Sequence, residues 1–214
     1  MKSEKKIVTY TNTNSYETLN SLTNKTKNIW IIFHGIGFLS RYFLQFFKGL
    51  NPGENYIIAP QAPSKYYLNE EYKYVGASWL TKEDTQVELA NVLRYVDAVL
   101  VTENLPEDKN IIVFGFSQGV SIATRWVATR KLLFHKLILY AGGLPSELTK
   151  EHFEFIDYNK SVVKIIYGDS DEFLTDERLK LQKIKSDELF QENAEILSFK
   201  GRHEIKPEIL KNFE

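Results

Sequence analysis

Ser117, Asp171 and His203 are residue types that, in this order along a chain, can build an acyl-transfer site. A serine hydroxyl is a weak nucleophile until a neighbouring base takes its proton. An imidazole titrating near neutrality suits that base. A carboxylate on its far nitrogen holds the tautomer and stabilises the imidazolium. Ser117 stands in Gly115-Phe116-Ser117-Gln118-Gly119, directly after the apolar run Ile111-Ile112-Val113-Phe114. The run reads as a buried strand and a helix-like segment follows. Glycines on either side let strand and helix pack closely around a tight turn that lifts the serine above the strand end.

His203 follows the last predicted strand, and only three other histidines compete with it. His135 opens a strand at the wrong edge. His152 lies in a polar segment. His34 follows an earlier strand, where it is expected to orient backbone. The acid lies in Gly168-Asp169-Ser170-Asp171, with Asp169 and Asp171 both candidates. A tetrahedral intermediate needs two backbone N–H donors. Gln118 is one, and Ile36 in His34-Gly35-Ile36-Gly37 is the other. Phe38, Trp79 and Phe173 flank these loops. They are candidates to line a substrate pocket, or else to pack as ordinary core aromatics.

The elements that must position these groups alternate. Strands are expected at 7–11, 16–19, 29–33, 56–59, 111–116, 136–141, 162–167 and 196–199. Helices are expected at 41–48, after a capping box at Thr81-Lys82-Glu83-Asp84, at 118–131, at 175–192 and from Pro207 onward. The aromatic stretch 64–79 reads as a loop. Several strands are continuous apolar runs, as expected of a mostly parallel sheet with helices on both faces. Ligands of such sheets sit beyond the carboxyl ends of the strands, where Ile36, Ser117, Asp171 and His203 would gather. The stretch 141–161 is too short for a large lid.

The chain has 214 residues, 43% hydrophobic and 26% charged, which fits one globular domain over 1–214. A net charge of -1 with both signs dispersed gives no signal for nucleic acid or an anionic membrane. No apolar run is long enough to span a bilayer. The run Ile7-Val8-Thr9-Tyr10 is too short for a signal-peptide core, so a cytoplasmic location is expected. Absence of cysteine excludes a thiol nucleophile and thiolate metal sites. Oligomeric state is not indicated.

The segments Ile32-Phe33-His34-Gly35-Ile36-Gly37, Ala59-Pro60-Gln61-Ala62-Pro63, Ala77-Ser78-Trp79-Leu80, Gly115 to Gly119, Gly168 to Asp171 and Gly201-Arg202-His203 resemble, in order, the phospholipase/carboxylesterase group of the α/β-hydrolase superfamily, which includes acyl-protein thioesterases. The order Ser, Asp, His is that of α/β-hydrolases. The spacing Gly168-x-x-Asp171-x-Phe173 matches the family better than one centred on Asp169. The resemblance implies a serine carboxylesterase or thioesterase acting on a small-molecule substrate through an acyl-enzyme. Ser117, His203 and Asp171 would form the triad, with no metal or organic cofactor. An acyltransferase or peptidase using the same triad, or a non-catalytic binding protein of this fold, are the alternatives. Two segments depart from the family pattern. Phe38-Leu39-Ser40 stands where an acidic residue is common, and Leu80-Thr81 where an aromatic–Asp pair is common. These departures concern the substrate and leave the triad untouched.

Overall fold

The computed structural model describes residues 3–214; Met1 and Lys2, the start of the expected domain, lie outside it. In chain order the elements are β1 (Tyr16–Leu19), β2 (Asn28–Phe33), α1 (Ser40–Phe43), β3 (Asn55–Pro60), β4 (Ser64–Tyr67), β5 (Val75–Ser78) and α2 (Thr85–Glu103). There follow β6 (Asn110–Phe116), α3 (Gln118–Arg130), β7 (Lys136–Tyr140), β8 (Val162–Gly168), α4 (Asp176–Phe190), β9 (Ala194–Phe199) and α5 (Pro207–Leu210). Short 3-10 turns at Leu44–Phe47 and Lys211–Phe213 extend α1 and α5.

Seven strands form one sheet in the order β1-β3-β2-β6-β7-β8-β9. Only β1 runs antiparallel, against β3. The chain adds β3 on one side of β2, then returns to lay β6 on the other and proceeds outward to β9. This reversal opens a crevice at the carboxyl ends of β2 and β6. Register carries the rest: Phe33 pairs with Gly115, Phe116 with Tyr140, and Gly168 with Phe199. The residues that follow β2, β6, β7, β8 and β9 therefore emerge along one edge.

Side chains alternate across the strands, so one sheet separates two cores. Ile29, Ile31 and Phe33 join Trp79, Val96 and Trp126 under α2 and α3. Trp30, Ile32 and Phe114 join Phe43, Phe47 and Leu210 under α1 and α5. With both faces covered, β2 and β3 are buried at every residue, which is why they read as continuous apolar runs. Between β7 and β8 the chain makes only a short 3-10 turn, Lys150–His152. Among the described residues no helix is long and apolar enough to cross a membrane.

Three expectations are corrected. Residues 7–11 form no strand, and Ile7 and Val8 are 79% and 82% exposed. Their β-branched side chains have no neighbouring strand to pair with. The stretch 64–79 is not a loop: β4 and β5 pair as an antiparallel hairpin. The Thr81–Asp84 segment forms no capping box, since Asp84 stands at the N-cap of α2 without a side-chain cap bond. Asp84 takes a left-handed conformation (φ 48°), so α2 starts at Thr85, and the Thr81 hydroxyl accepts the Glu83 N–H inside its own turn at 3.2 Å.

Candidate active site

Ser117 occupies the turn between β6 and α3 with φ 53° and ψ −118°, a backbone conformation L-residues avoid. Such a conformation costs on the order of 1–3 kcal/mol and persists only where the surroundings enforce it. Here its N–H donates to the Tyr140 carbonyl at 2.9 Å, and its own carbonyl accepts the Val120 N–H at 3.0 Å. Gly119 is required for the close crossing, since a Cβ there would lie 2.1 Å from the Phe33 carbonyl oxygen. The turn leaves the Ser117 hydroxyl at the crevice.

His203 follows β9 and reaches back over β8 and β7. Its Nε2 lies 3.0 Å from Ser117 Oγ and its Nδ1 lies 2.8 Å from Asp171 Oδ2. The Asp171 side chain is fully buried, and its other oxygen accepts the Phe173 N–H at 2.9 Å. A carboxylate only accepts, so Nδ1 of His203 carries the proton and donates it to Asp171. Nε2 is then free to accept the Ser117 O–H. Phe173 stands edge-on to the imidazole with centroids 4.8 Å apart, and Phe116 lies at 5.1 Å. Asp169 has a different task. Its Oδ1 accepts the Gly201 N–H at 3.1 Å and the Ser170 hydroxyl at 3.1 Å, tying the loop after β8 to the loop after β9.

Ile36 and Gln118 flank Ser117 from two loops. Gln118 is the first residue of α3, where N–H groups lack intrahelical acceptors and the helix dipole favours negative charge. Neither the Ile36 nor the Gln118 N–H has an acceptor among the described residues. The β2 loop is pressed against the serine: a side chain at Gly35 would lie 3.2 Å from Ser117 Cβ. It is pinned by Gly37 N–H donating to the Ala77 carbonyl at 2.9 Å.

Two side chains that hold these loops had no counterpart in the sequence reading. The Gln118 amide donates to the Leu80 carbonyl at 2.7 Å and the Ser78 hydroxyl at 3.0 Å, and accepts the Trp79 N–H at 2.8 Å. The fixed side chain thereby steadies its own backbone N–H. Gln61, following β3, accepts both the N–H and the hydroxyl of Ser40 at the start of α1. No local pattern signals either role, because the partners lie far away in sequence.

His34 is buried and bonds backbone on both sides. Nδ1 donates to the Gly35 carbonyl at 2.8 Å and Nε2 accepts the Ala62 N–H at 3.2 Å. Burial lowers its pKa from 6.5 to about 4, against a smaller opposing effect of the Gly35 carbonyl. A second ring proton would face the Ala62 N–H, so this imidazole stays neutral.

A cavity of about 810 Å³ opens over Ser117, Gln118, Ile36 and His203. Its walls are mostly apolar, with Phe38 and Phe173 among them. Phe46, Leu181 and Ile205 also line it and were not singled out in the sequence. Trp79 is the exception among the expected pocket residues, which corrects that assignment. It is 0% exposed, packs edge-on to Phe33 at 5.6 Å, and donates its indole N–H to the His34 carbonyl at 2.8 Å. The end of β5 feeds it into the core, where it supports the β2 loop from behind. Among the described residues no group of His, Asp and Glu side chains is arranged to hold a metal ion.

The family model described as phospholipase/carboxylesterase matches residues 14–214. Among solved structures, the chain is similar to Zea mays acyl-protein thioesterase 2, with 17% identity and a TM-score of 0.69 over 94% of this chain and 96% of that one. It is similar to a phospholipase/carboxylesterase from Dyadobacter fermentans, with 22% identity and a TM-score of 0.67 over 95% and 97%. A Bacillus cereus carboxylesterase matches with 13% identity and a TM-score of 0.66 over 94% and 91%. These structural likenesses bear on the fold alone. Comparison with curated proteins returns no match.

Proposed function

Because the chain belongs to the phospholipase/carboxylesterase family, whose members are ester hydrolases of the α/β-hydrolase fold, we propose that it cleaves carboxylic esters or thioesters with Ser117 as nucleophile. The observation that carries this reading is the single imidazole of His203 within hydrogen-bond reach of both Ser117 Oγ and a buried carboxylate, at 3.0 and 2.8 Å.

The chemistry follows from that arrangement. Ser117 Oγ attacks the carbonyl carbon while His203 Nε2 takes its proton. Asp171 holds the imidazole in the tautomer that can accept, and stabilises the cation that results. The carbonyl oxygen, now negative, lies against the N–H groups of Ile36 and Gln118. Each such donor contributes about 3 kcal/mol to the transition state. The imidazolium then protonates the departing alkoxide or thiolate, leaving an acyl ester on Ser117. Water enters, gives its proton to the same Nε2, and attacks the acyl carbon. Collapse of this second intermediate returns the proton to Ser117 and releases the acid. Phe38 and Phe173 bound the substrate beside the reacting carbon.

The test is a hydrolysis profile across short acyl esters and matching thioesters, with Ser117→Ala as control. Turnover is expected for at least one class, falling on the order of 10⁶-fold in the variant. Equal turnover by both proteins contradicts the reading.

A further inference from the structure

A second, smaller space of about 230 Å³ lies beside the catalytic cavity, between α4 and the strands β8 and β9. Ile165, Ile166, Leu179 and Ile196 are among its walls, as are the exposed Lys180 and Lys183. Gly142, Leu174 and Gln182 line both spaces, so the two adjoin at these residues. The junction lies directly beside the nucleophile: a Cβ on Gly142 would lie 2.3 Å from the Ser117 carbonyl oxygen.

The space exists because α4 stands away from the sheet at one end. Its buried residues are Ser186, Leu189 and Phe190, all in its last turns, and none of its first ten residues is buried. In the amino-terminal half, Leu179 is half-buried and Leu181 is exposed, as is Ile184 just beyond it. Gln182 anchors this half to the loop after β7 by accepting the Leu144 N–H at 2.6 Å.

We propose that the acyl chain of the substrate runs from Ser117 past Gly142 into the space beneath the amino-terminal half of α4, and that this helix sets the acyl chain-length preference. The assignment rests on the esterase reading above. An alkyl chain needs no hydrogen-bond partner and gains from such walls. The acyl group also stays on Ser117 until water arrives, whereas the alcohol or thiol must leave first. A recess off the main cavity suits the group that stays. The opposite end of the catalytic cavity, at Phe38, Phe46 and Ile205, is left to the group that departs.

Two ester series separate the ends: p-nitrophenyl esters of straight-chain acids from acetyl to decanoyl, and alkyl acetates of increasing alcohol length. In the acyl series kcat/KM is expected to rise about fourfold per methylene that enters the pocket, then level off. Leu179→Phe fills the space and is expected to lower the octanoyl-to-acetyl ratio roughly tenfold, the equivalent of nearly two buried methylenes. Leu179→Ala cannot overfill it and is expected to move the plateau to longer chains. Circular dichroism checks that each variant folds. The proposal is overturned if acyl profiles of the folded variants parallel the unsubstituted protein, or if the shift appears among the alkyl acetates instead. Acetyl hydrolysis with a flat acyl profile overturns the pocket assignment alone. No hydrolysis of any ester or of the matching thioesters overturns the esterase reading together with it.

Discussion

Two aspartates stand two residues apart in one loop and meet different partners. Asp171 lies against the His203 imidazole, while Asp169 accepts the Gly201 N–H and bridges two loops. Replacing Asp171 by Asn puts an amide where a charged acceptor is needed, and the imidazole loses the tautomer that faces Ser117. Turnover is expected to fall about 10⁴-fold. Asp169→Asn keeps an oxygen that can accept from Gly201, so its turnover is expected to stay within about tenfold of the unsubstituted protein. Steady-state kinetics of the two variants on one ester checks this. A collapse in Asp169→Asn with activity kept in Asp171→Asn would exchange the two roles. Both residues follow the same strand, so the strand pattern alone admits either, and the family-like spacing with Phe173 favours Asp171. In the fold it is Asp171 that lies 2.8 Å from His203.

The strand–loop elements hold the site through groups that do no chemistry. His34 ties the loop after β2 to Ala62 in the segment after β3 and stays neutral, with its pKa lowered to about 4 by burial. In the unfolded chain it titrates near 6.5, so the unfolded state binds the extra proton between these values. Stability from this group is therefore full above pH 6.5 and drains away as pH falls to about 4, a loss of about 3 kcal/mol. Urea unfolding from pH 7 to pH 4 is expected to show a steeper loss for the unsubstituted protein than for His34→Gln. Equal slopes would contradict it. The elements themselves were legible to differing degrees. The central strands announce themselves because burial on both faces demands unbroken apolar runs. The hairpin of β4 and β5 does not, since all four residues of β4 are exposed and carry no periodicity. Residues 7–11 have strand-like types but no partner, which local composition cannot reveal. Trp79 flanks the site in sequence yet packs behind it, because a chain reading cannot tell which side of a loop an aromatic faces. The Gln118 side chain is invisible for a related reason: its partners lie 38 to 40 residues away.

At the scale of the whole molecule, one sheet edge carries the site and the opposite edge carries a polar network that locks the strands together. Asn55, buried at the start of β3, accepts from the Trp30 indole at 2.9 Å and the Asn28 amide at 3.0 Å. Its own amide donates to Glu214 at 2.9 Å, and Asn28 in turn accepts from Asn110 on β6 at 3.1 Å. Asn55→Ala strands two buried donors, and each orphan costs about 1–3 kcal/mol. The variant is expected to lose about 3 kcal/mol in urea unfolding; a loss below about 1 kcal/mol would show that the network does not hold the strands. The candidate site depends on the same frame, since Ile36, Ser117, Asp171 and His203 leave four different strands and meet only when the sheet is in register. The most direct test of the central claim uses that dependence. The native protein is treated with a fluorophosphonate, and the adduct is located by peptide mass spectrometry. The account predicts one phosphonyl group, on Ser117, absent after unfolding in urea and strongly slowed in His203→Ala. A native protein that takes no label, or takes it on another residue, would contradict the account.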